Sequence, residues 1–304
     1  MSLNILIWNA RGVANVNTQS IIKRLVKENK IMVLAVIEPL IKPRPDFFSR
    51  IFGLQFKGCN CNGQIWMFAA DGIEVDDWDD SEQILHARFT TLMLSAPVFI
   101  SVAYGKCTRK GRAGMWSKLR ELAGKLDGLP WLVGGDFNTF VSEEERQGGK
   151  KKRTREMMEF AETISDCQFL DVGADGPKFT WARGDTFERL DRVLLGEGWA
   201  NIFESTRVTN LPRVLSDHCP LLIREETGTR GMINVQLKLS RLKRSLKIWN
   251  RVVFGNIFEK LRKAEAEARE AQEKYEQEPS PDLRSDMNRT TAEYLLRLKM
   301  EEDF

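Results

Sequence analysis

The side chains best suited to chemistry follow a predicted buried strand at residues 131–138, which read WLVGGDFN. An apolar run that stops at two glycines and continues with Asp136 and Asn138 predicts a strand opening into a tight turn. Because side chains alternate along a strand, these two polar groups share one side while Phe137 faces the core. A carboxylate and an amide held together can act on one reacting group. Taken alone, Asp after Gly-Gly is more typical of an ordinary turn, so the neighbouring motifs must decide.

Other predicted strands also end in polar residues. The full set of strand-end candidates is Asn9, Glu38, Tyr104, Asp136, Asn138, Asp191, Asp217 and His218. The sequence has no nucleophile elbow, no Gly-rich loop leading into a helix and no His/Cys set with zinc spacing. The remaining carboxylates, amides and one histidine suit hydrolysis of a phosphodiester, which needs a base, charge stabilisation and help for the leaving oxygen. Since Mg²⁺ takes few carboxylates together with substrate phosphate oxygens, Glu38 is a natural ligand.

The two histidines of the chain have different surroundings. His218 directly follows Asp217 and stands just before a predicted core strand, which favours a role in a site. A histidine after Ser-Asp would otherwise be typical of a surface turn. His86 lies within a strand-like alternation, which predicts a packing residue.

Composition restricts the class of protein. The 304 residues are 42% hydrophobic and 29% charged, which predicts a globular chain with one sizeable core and an appendage. The net charge of +3 is too small to indicate a partner by itself, but basic clusters at residues 106–112 and 150–155 lie beside the candidate motifs. Five scattered cysteines indicate a reducing compartment, and Cys59-x-Cys61 has no second pair for zinc. We find no signal peptide or membrane-length apolar segment and expect a soluble intracellular protein.

The predicted elements alternate irregularly between strands and helices. Strands are predicted at residues 3–8, 31–37, 64–70, 84–94, 98–104, from Trp131, and at 178–181, 190–195 and 219–223. Helices are predicted at residues 18–30, 115–126 and 156–167. Because several strand pairs lack an intervening helix, two packed sheets with outer helices fit better than one doubly wound parallel sheet.

The composition changes after Arg224, which predicts three parts. Residues 1–225 form a catalytic domain, residues 226–235 a linker, and residues 236–304 a charged helical hairpin. Ser280 as N-cap with Pro281 in the first helical position predicts the start of the second helix. Such charged helices are usually solvated connectors or coiled-coil contacts.

Seven short motifs occur in one order across residues 4–223. They are WNARG at 8–12, IEP at 37–39, AYG at 103–105, GDFN at 135–138, FTW at 179–181, RLDR at 189–192 and SDH at 216–218. This order resembles the endonuclease/exonuclease/phosphatase superfamily. With residues 144–149 and 175–181, it looks most like the endonuclease domain of plant LINE-type, non-LTR retrotransposons. The resemblance implies a four-layered α/β sandwich, in which helices flank two packed mixed sheets, and Mg²⁺-dependent DNA cleavage with Mn²⁺ as a substitute.

The resemblance also implies roles for the candidate residues. Glu38 resembles the principal metal ligand, with Asn9 beside it and Asp217 supporting the metal side. The residues implied to be catalytic are Tyr104, Asp136, Asn138, Asp191 and His218. Among them, Asp191 would orient His218, Asn138 would bind the phosphate, and Tyr104 would steady the transition state or leaving group. Whether Asp136 or His218 is the general base stays open.

One position departs from the family pattern. Many members carry an acidic residue two positions after the first-strand Asn, and this chain has Arg11 there. A guanidinium cannot ligate Mg²⁺, but it can contact a phosphate. The expected DNA-contacting residues are Arg11, Thr180, Trp181, Lys106, Arg109, Lys151 and Arg153. Contacts with the phosphate backbone of DNA predict DNA binding that is sensitive to salt and has a weak sequence preference.

The function implied is nicking of chromosomal DNA to release a 3′ hydroxyl that primes reverse transcription. In the similar elements, a connector like residues 237–304 leads into a reverse transcriptase, so this enzyme and element RNA are expected partners supplied elsewhere. We expect a nuclear protein made in the cytoplasm and not secreted. Two alternatives stay open: a catalytically silent remnant that binds DNA or protein, and a phosphatase of small phosphorylated molecules. Oligomeric state is left open.

Overall fold

The computed structural model describes residues 3–149, 153–226, 242, 246 and 257–302. The chain separates into two compact units, Met1–Lys238 and Leu239–Phe304. Among the described residues, the first unit contains two six-stranded sheets, and the second contains a pair of long helices at residues 257–277 and 281–302. Except for Glu226, the predicted linker at 226–235 lies outside the described residues.

The first large sheet carries the amino-terminal strand near its centre. Its strands are β1 Ile5–Asn9, β2 Val33–Ile37, β3 Gln55–Cys59, β4 Ile65–Ala69, β14 Ser205–Asn210 and β15 Leu221–Glu226. They follow the order β14-β15-β1-β2-β4-β3. β1 and β2 are parallel, with Asn9 opposite Ile37, and the other neighbours are antiparallel. The parallel pair brings the carboxyl ends of β1 and β2 to one edge.

The second large sheet is organised in a similar way. Its strands are β5 Ile73–Asp80, β6 Ile84–Thr91, β7 Val98–Tyr104, β8 Trp131–Asp136, β10 Leu170–Asp171 and β13 Asp191–Leu195, in the order β10-β13-β8-β7-β6-β5. The parallel pair is β7 and β8, with Tyr104 opposite Asp136. β13 runs antiparallel to β8 and places Asp191 opposite Asp136. Three candidate residues therefore meet at one end of this sheet.

The described part of the first unit also contains a small third sheet and four α-helices. The sheet consists of β9 Arg146–Gln147, β11 Trp181–Arg183 and β12 Thr186–Glu188, in the order β11-β12-β9. The helices are α1 Val16–Glu28, α2 Pro45–Phe52, α3 Arg109–Lys125 and α4 Thr154–Asp166.

Alternation along the strands divides the core into layers of side chains. In β1, Ile5 and Ile7 join a cluster shared by the two large sheets, whereas Leu6 and Trp8 join a cluster with α1 and α2. A third cluster packs Val133 of β8 and its neighbours against α3 and α4. The layers are therefore helices, sheet, sheet and helices, which confirms the predicted four-layered sandwich of two mixed sheets.

Two glycines of β8 allow the sheets and strands to approach closely. A Cβ at Gly134 would lie 2.5 Å from the Cδ1 atom of Ile7 in the facing sheet. A Cβ at Gly135 would lie 2.2 Å from the carbonyl oxygen of Ala103, and this residue has a φ of +137°. A side chain at Gly135 would push β8 away from the backbone of β7, and one at Gly134 would displace the end of the Ile7 side chain in the facing sheet. The Gly-Gly pair thus brings the ends of β1 and β8 together.

Some elements differ from the sequence predictions. α3 begins at Arg109 rather than residue 115, because Thr108 caps it by accepting a hydrogen bond from the Gly111 N–H, while the apolar periodicity starts later. The strand predicted at 178–181 begins only at Trp181 and belongs to the small sheet. α2 and β5 fall where the sequence predicts no element. β5 is an acidic, largely exposed edge strand, so it lacks the apolar alternation that marks a strand.

The second unit contains α5 Ile257–Gln277 and α6 Pro281–Glu302. Ser280 caps α6, because its Oγ accepts a hydrogen bond from the Leu283 N–H at 3.3 Å. Small side chains at Ala264 and Ala271 are buried where the helices pack. The predicted helical pair and its cap are confirmed for these residues. No helix in the described part of the chain combines the length and apolar character needed to cross a membrane.

Candidate active site

The ends of β1 and β2 bring Asn9 and Glu38 together. Asn9 Nδ2 donates to Glu38 Oε1 at 2.9 Å and to Asp136 Oδ2 at 3.1 Å. Glu38 has a φ of +49°, and its backbone is held by hydrogen bonds to Gln64 and Gly12. Asn9 therefore links the first sheet to the second at the point where their polar strand ends meet.

Asp136, Asp191 and His218 form a buried cluster beside Asn9. His218 Nδ1 lies 2.9 Å from Asp191 Oδ2, and His218 Nε2 lies 3.7 Å from Asp136 Oδ2. All three side chains are almost completely buried. They offer ligand atoms within 4.8 Å of one another, so this acidic/His group could hold a metal ion. Because His218 Nδ1 is engaged by Asp191, the arrangement is also suited to holding and moving a proton.

The cluster has shifted pKa values. Burial raises the pKa of Asp136, and the nearby imidazole of His218 opposes this rise only in part. Burial alone would lower the pKa of His218, but the carboxylates of Asp191 and Asp136 outweigh it and raise this pKa to about 9. Near neutral pH, His218 therefore carries a proton between two carboxyl groups. Shifted pKa values of this kind are common where proton transfer occurs.

Asn138 and Tyr104 complete the polar floor of the cleft. Asn138 has a φ of +52°, its N–H donates to Asp136 Oδ1 at 2.9 Å and its Nδ2 donates to Asp136 Oδ2 at 3.2 Å. Tyr104 hydrogen-bonds to Glu38, and burial together with the charge of Glu38 raises the pKa of the phenol well above its usual range. Tyr104 is therefore a neutral hydrogen-bond donor at any physiological pH.

Two arginines hold the backbone of Asn138. Arg112 Nη1 and Arg153 Nη2 both donate to the Asn138 carbonyl, at 3.1 and 2.7 Å. Arg112 also donates to the Lys106 carbonyl at 2.9 Å and pairs with Glu156, although its side chain is almost wholly buried. Arg112 thus ties together the loops that follow β7 and β8.

The sequence predictions included Arg153 but treated Arg112 only as a member of a basic cluster. A usable signal was present, because Arg112 shares the helical spacing of the buried residues Met115, Trp116 and Leu119. An arginine on the apolar face of a helix indicates a buried ion pair rather than a surface charge.

Asp217 contacts two residues that line the cleft, Arg11 and Trp181. Its Oδ2 accepts from Arg11 Nη1 at 2.6 Å and from Trp181 Nε1 at 3.0 Å. Its Oδ1 is buried without a hydrogen-bond partner and lies 4.0 Å from His218 Nε2. Arg11 also contacts Glu38, with 3.5 Å between Nε and Oε2.

The residues predicted to hold a metal are linked by contacts, since Asn9 contacts Glu38 and Arg11 contacts both Glu38 and Asp217, and their oxygen atoms suit a hard cation. Glu38 and Asp217 offer carboxylate oxygens, and Asn9 lies between Glu38 and Asp136. The Oδ1 atom of Asp217 accepts no hydrogen bond. Oxygen donors of this type match the ligand preference of Mg²⁺ and Mn²⁺.

The cleft has a volume of about 500 Å³, and one wall is basic. Arg146 and Arg153 both pair with Glu188, at 3.0 and 3.1 Å, and Arg183 lines the same wall. Arg153 also pairs with Glu156 at 2.8 Å, so two carboxylates face these arginines. Arginine side chains that line a cleft are suited to contact an anionic ligand.

The predicted DNA-contacting residues are distributed unevenly. Arg11, Trp181 and Arg153 line the cleft, and Arg109 lines an adjoining cavity that also includes Arg153. Lys106 pairs with Glu82 and does not line the cleft. Lys151 lies outside the described residues.

Thr180 has a different place from the one expected. Its side chain is fully buried, and its Oγ1 accepts the N–H groups of Leu190 and Asp191 at 3.0 and 2.9 Å. The prediction that Thr180 contacts DNA is therefore withdrawn. Its hydroxyl fixes the start of β13 and so positions Asp191.

The other histidine is a packing residue, as predicted. His86 is buried, its Nδ1 lies 2.8 Å from Ser101 Oγ, and its ring stacks on Phe99. Burial lowers the pKa of His86 to about 4, so it is neutral near physiological pH.

Comparisons with solved structures show the same fold in known nucleases. The endonuclease domain of TRAS1, a telomere-specific non-LTR retrotransposon, is 13% identical, with a TM-score of 0.56 over 74% of this chain and 99% of that one. The AP endonuclease LMAP from Leishmania major is 16% identical, with a TM-score of 0.59 over 75% of this chain and 88% of that one. An AP endonuclease from Archaeoglobus fulgidus is 15% identical, with a TM-score of 0.56 over 74% of this chain and 100% of that one. At these identities the similarity establishes the fold alone.

Comparison with curated proteins gave no significant match. A family model for the Endonuclease/Exonuclease/phosphatase family matches residues 6–218, which include every candidate residue from Asn9 to His218. The match covers more than half of the chain. The protein therefore belongs to the endonuclease/exonuclease/phosphatase family.

Proposed function

We propose that this protein is a Mg²⁺-dependent DNA endonuclease that nicks one strand and leaves a 3′ hydroxyl for target-primed reverse transcription. The observation that carries the proposal is the meeting of Asp136, Asp191 and His218 with Glu38 across the two sheets. These residues meet beside an arginine-rich wall. Hydrolysis of a backbone phosphodiester needs both features.

The chain's own residues divide the chemical work. Protonated His218, oriented by Asp191, donates a hydrogen bond to a phosphoryl oxygen and offsets the charge that develops there. Because His218 already holds a proton, Asp136 is the group left to accept one from the attacking water. Asn138, fixed by Asp136 and Arg153, binds the phosphate, and the neutral phenol of Tyr104 donates to the leaving oxygen.

Glu38 would hold the divalent cation, with Asn9 and Asp217 beside it. Bound there, the cation would supply charge neutralisation for the phosphate, which carboxylates alone would repel. The same need explains why acidic residues can line a cleft for an anionic substrate. Mn²⁺ has similar ligand preferences and is expected to substitute.

The basic wall favours DNA over a small phosphorylated molecule. Arg146, Arg153 and Arg183 lie along one side of the cleft, and Arg109 continues into the adjoining cavity. Cations spread beyond the reacting centre suit a polymer of phosphates, with salt-sensitive and weakly sequence-specific binding.

The retrotransposon role is supported by the family motifs and by the fold shared with the TRAS1 domain. Under this proposal the charged helices of the second unit serve as the connector to a reverse transcriptase. Element RNA and that enzyme are the proposed partners, and the reaction takes place on chromosomal DNA in the nucleus.

The test is conversion of supercoiled plasmid to open circles by the purified chain with Mg²⁺. We expect EDTA, Glu38→Ala and His218→Ala each to abolish nicking, while exposed Arg24→Ala on α1 does not. Circular dichroism melts would confirm that the variants are folded. Folded wild-type protein that binds DNA at low salt but never nicks it would instead support a silent binding module.

A further inference from the structure

Arg11 contacts two of the residues proposed to hold the cation. Its Nη1 lies 2.6 Å from Asp217 Oδ2, and its Nε lies 3.5 Å from Glu38 Oε2. The Arg11 side chain is 44% exposed, whereas Glu38 and Asp217 are 12% and 21% exposed. One guanidinium at the mouth of the cleft therefore covers two more deeply placed carboxylates.

The backbone of Arg11 is held in an unusual conformation. Its φ is +45°, its N–H donates to Asn9 Oδ1 at 3.3 Å, and the next N–H, of Gly12, donates to the Glu38 carbonyl at 2.8 Å. A left-handed conformation at a residue other than glycine is unfavourable unless its surroundings maintain it. The guanidinium is thus directed between Glu38 and Asp217 by a fixed turn, although its long side chain can leave that position.

The carboxylate oxygens are shared unequally. Arg11 uses one oxygen of each carboxylate, and Asn9 uses the second oxygen of Glu38. Asp217 Oδ1 has no hydrogen-bond partner. A divalent cation on these carboxylates would lie close to the guanidinium, and the two positive groups would repel each other.

We propose that Arg11 is a displaceable counter-cation. It neutralises Glu38 and Asp217 until a divalent cation binds, and the guanidinium then turns outward to contact a phosphate of the bound DNA. Metal loading and DNA binding are thereby coupled through one side chain. The phosphate contact rests on the proposed function, whereas the competition for carboxylates rests only on the contacts of Arg11.

The competition is tested by titrating Mn²⁺ and measuring free Mn²⁺ by electron paramagnetic resonance. We expect Arg11→Met to bind Mn²⁺ about two- to fivefold more tightly than wild type, the range expected for a partly exposed ion pair. Arg11→Lys keeps the charge without the forked geometry and should lie between them. Arg24→Met, which removes an exposed arginine of α1, controls for net charge and should match wild type.

The coupling is tested by fluorescence anisotropy with labelled duplex DNA, using an Asp136→Asn background to prevent cleavage. Mn²⁺ should increase the affinity for DNA more in the protein that keeps Arg11 than in the protein with Arg11→Met. Only the first has a guanidinium that Mn²⁺ can release to contact a phosphate, and the coupling between the two ligands is reciprocal. Mn²⁺ affinity that is unchanged or weaker in Arg11→Met, or no Mn²⁺ binding by either protein, would overturn the proposal. If Arg11→Met does not fold, equal Mn²⁺ affinity of Arg11→Lys and wild type would overturn it.

These binding measurements separate the inference from the nuclease proposal. If Arg11→Met binds Mn²⁺ more tightly than wild type, and the wild-type protein does not nick plasmid, the competition is supported and the nuclease function is refuted. If the wild-type protein nicks plasmid with Mg²⁺, but wild type and Arg11→Met bind Mn²⁺ equally, the nuclease function is supported and the competition is refuted.

Discussion

Two buried charged clusters beside the second sheet differ in how their charges are balanced. In the arginine cluster, formed by Glu145, Asp171, Arg189 and Arg192, each guanidinium contacts both carboxylates, with 2.7 Å between the nearest atoms of each pair. In the Asp136, Asp191 and His218 cluster, two carboxyl groups share one imidazole. The first cluster contains equal numbers of opposite charges, and the second does not.

The pKa directions follow this difference. Burial would raise the pKa values of Glu145 and Asp171, but the facing arginines outweigh it and lower both. In the other cluster the pKa of Asp136 is raised and that of His218 is raised to about 9. A balanced cluster keeps every group in one charge state and stabilises structure. An unbalanced cluster keeps a proton that can move, which is what a reaction requires.

The two clusters meet within one short motif, residues 189–192. Arg189 and Arg192 bind the arginine cluster, Leu190 packs in an apolar cluster, and Asp191 orients His218. The structural ion pairs therefore hold the strand that carries the reactive carboxylate. A family motif can combine residues for chemistry with residues that only position them.

The largest expected effect is on the reactive cluster. Asp136→Asn keeps the shape of the side chain but removes the proposed base, so we expect the nicking rate to fall by about 10²- to 10⁴-fold. Initial rates of open-circle formation measure this. Asp46→Asn, an exposed position on α2, is the matched control and should keep the wild-type rate. A folded Asp136→Asn protein with wild-type activity would show that this carboxylate is not the base.

The next effect is on the arginine cluster. Arg192 is fully buried, and Arg192→Met leaves two carboxylates with one partner, so we expect a loss of about 3–5 kcal/mol in unfolding free energy. Urea unfolding followed by tryptophan fluorescence measures it. Exposed Arg207, which pairs with Asp175, offers the comparison, and Arg207→Met should change stability by less than about 1 kcal/mol. Equal effects of the two substitutions would contradict the structural role of the buried cluster.

Glu225 has a raised pKa but no proposed role in catalysis. It is buried at the far end of β15 from His218, accepts a hydrogen bond from Thr206, and burial raises its pKa to about 8. Because the folded state holds this proton more strongly, stability should fall by up to about 1.4 kcal/mol per pH unit as pH rises from the unfolded pKa to about 8.

Glu225→Gln should abolish that pH dependence and be more stable than wild type at pH 8, with unchanged nicking. Chemical unfolding at pH 5 and pH 8 provides the measurement. A wild-type protein whose stability is the same at both pH values would mean that Glu225 does not titrate abnormally.

The smallest effect concerns the pH profile of nicking. If protonated His218 is required, the rate falls as pH rises through its pKa of about 9. Asp191→Asn removes a carboxylate that raises this pKa, so the alkaline limb should move down by about one to two pH units. Rates from pH 6 to 10, normalised to the maximum of each protein, measure the shift. An alkaline limb that stays in place would contradict control of His218 by Asp191.

The fold was largely predictable because its elements have local patterns. Apolar segments mark the central strands, and the strand pairs without helices indicate two sheets. β5 could not be predicted in this way because an exposed acidic edge strand has no apolar alternation. The start of α3 was misplaced because its first turn carries basic and glycine residues and a threonine cap rather than an apolar face.

The candidate site was predictable where polar residues end strands. Asn9, Glu38 and Asp136 do so, and in the structure Asn9 donates hydrogen bonds to both carboxylates. Thr180 was assigned to the surface because a hydroxyl beside a tryptophan carries no local sign of burial. Its role appears only when β13 is seen to begin against it.

By itself, the sequence determined which side chains stand at the ends of strands and which face the core, because alternation is a local property of the chain. Only the tertiary structure decided which strand ends lie next to each other. Asn9 reaches Asp136, and Arg11 reaches Asp217, across long stretches of chain. Such contacts depend on sheet register and on the close approach of two sheets at Gly134. These are set by packing of the whole core, so no local pattern contains them.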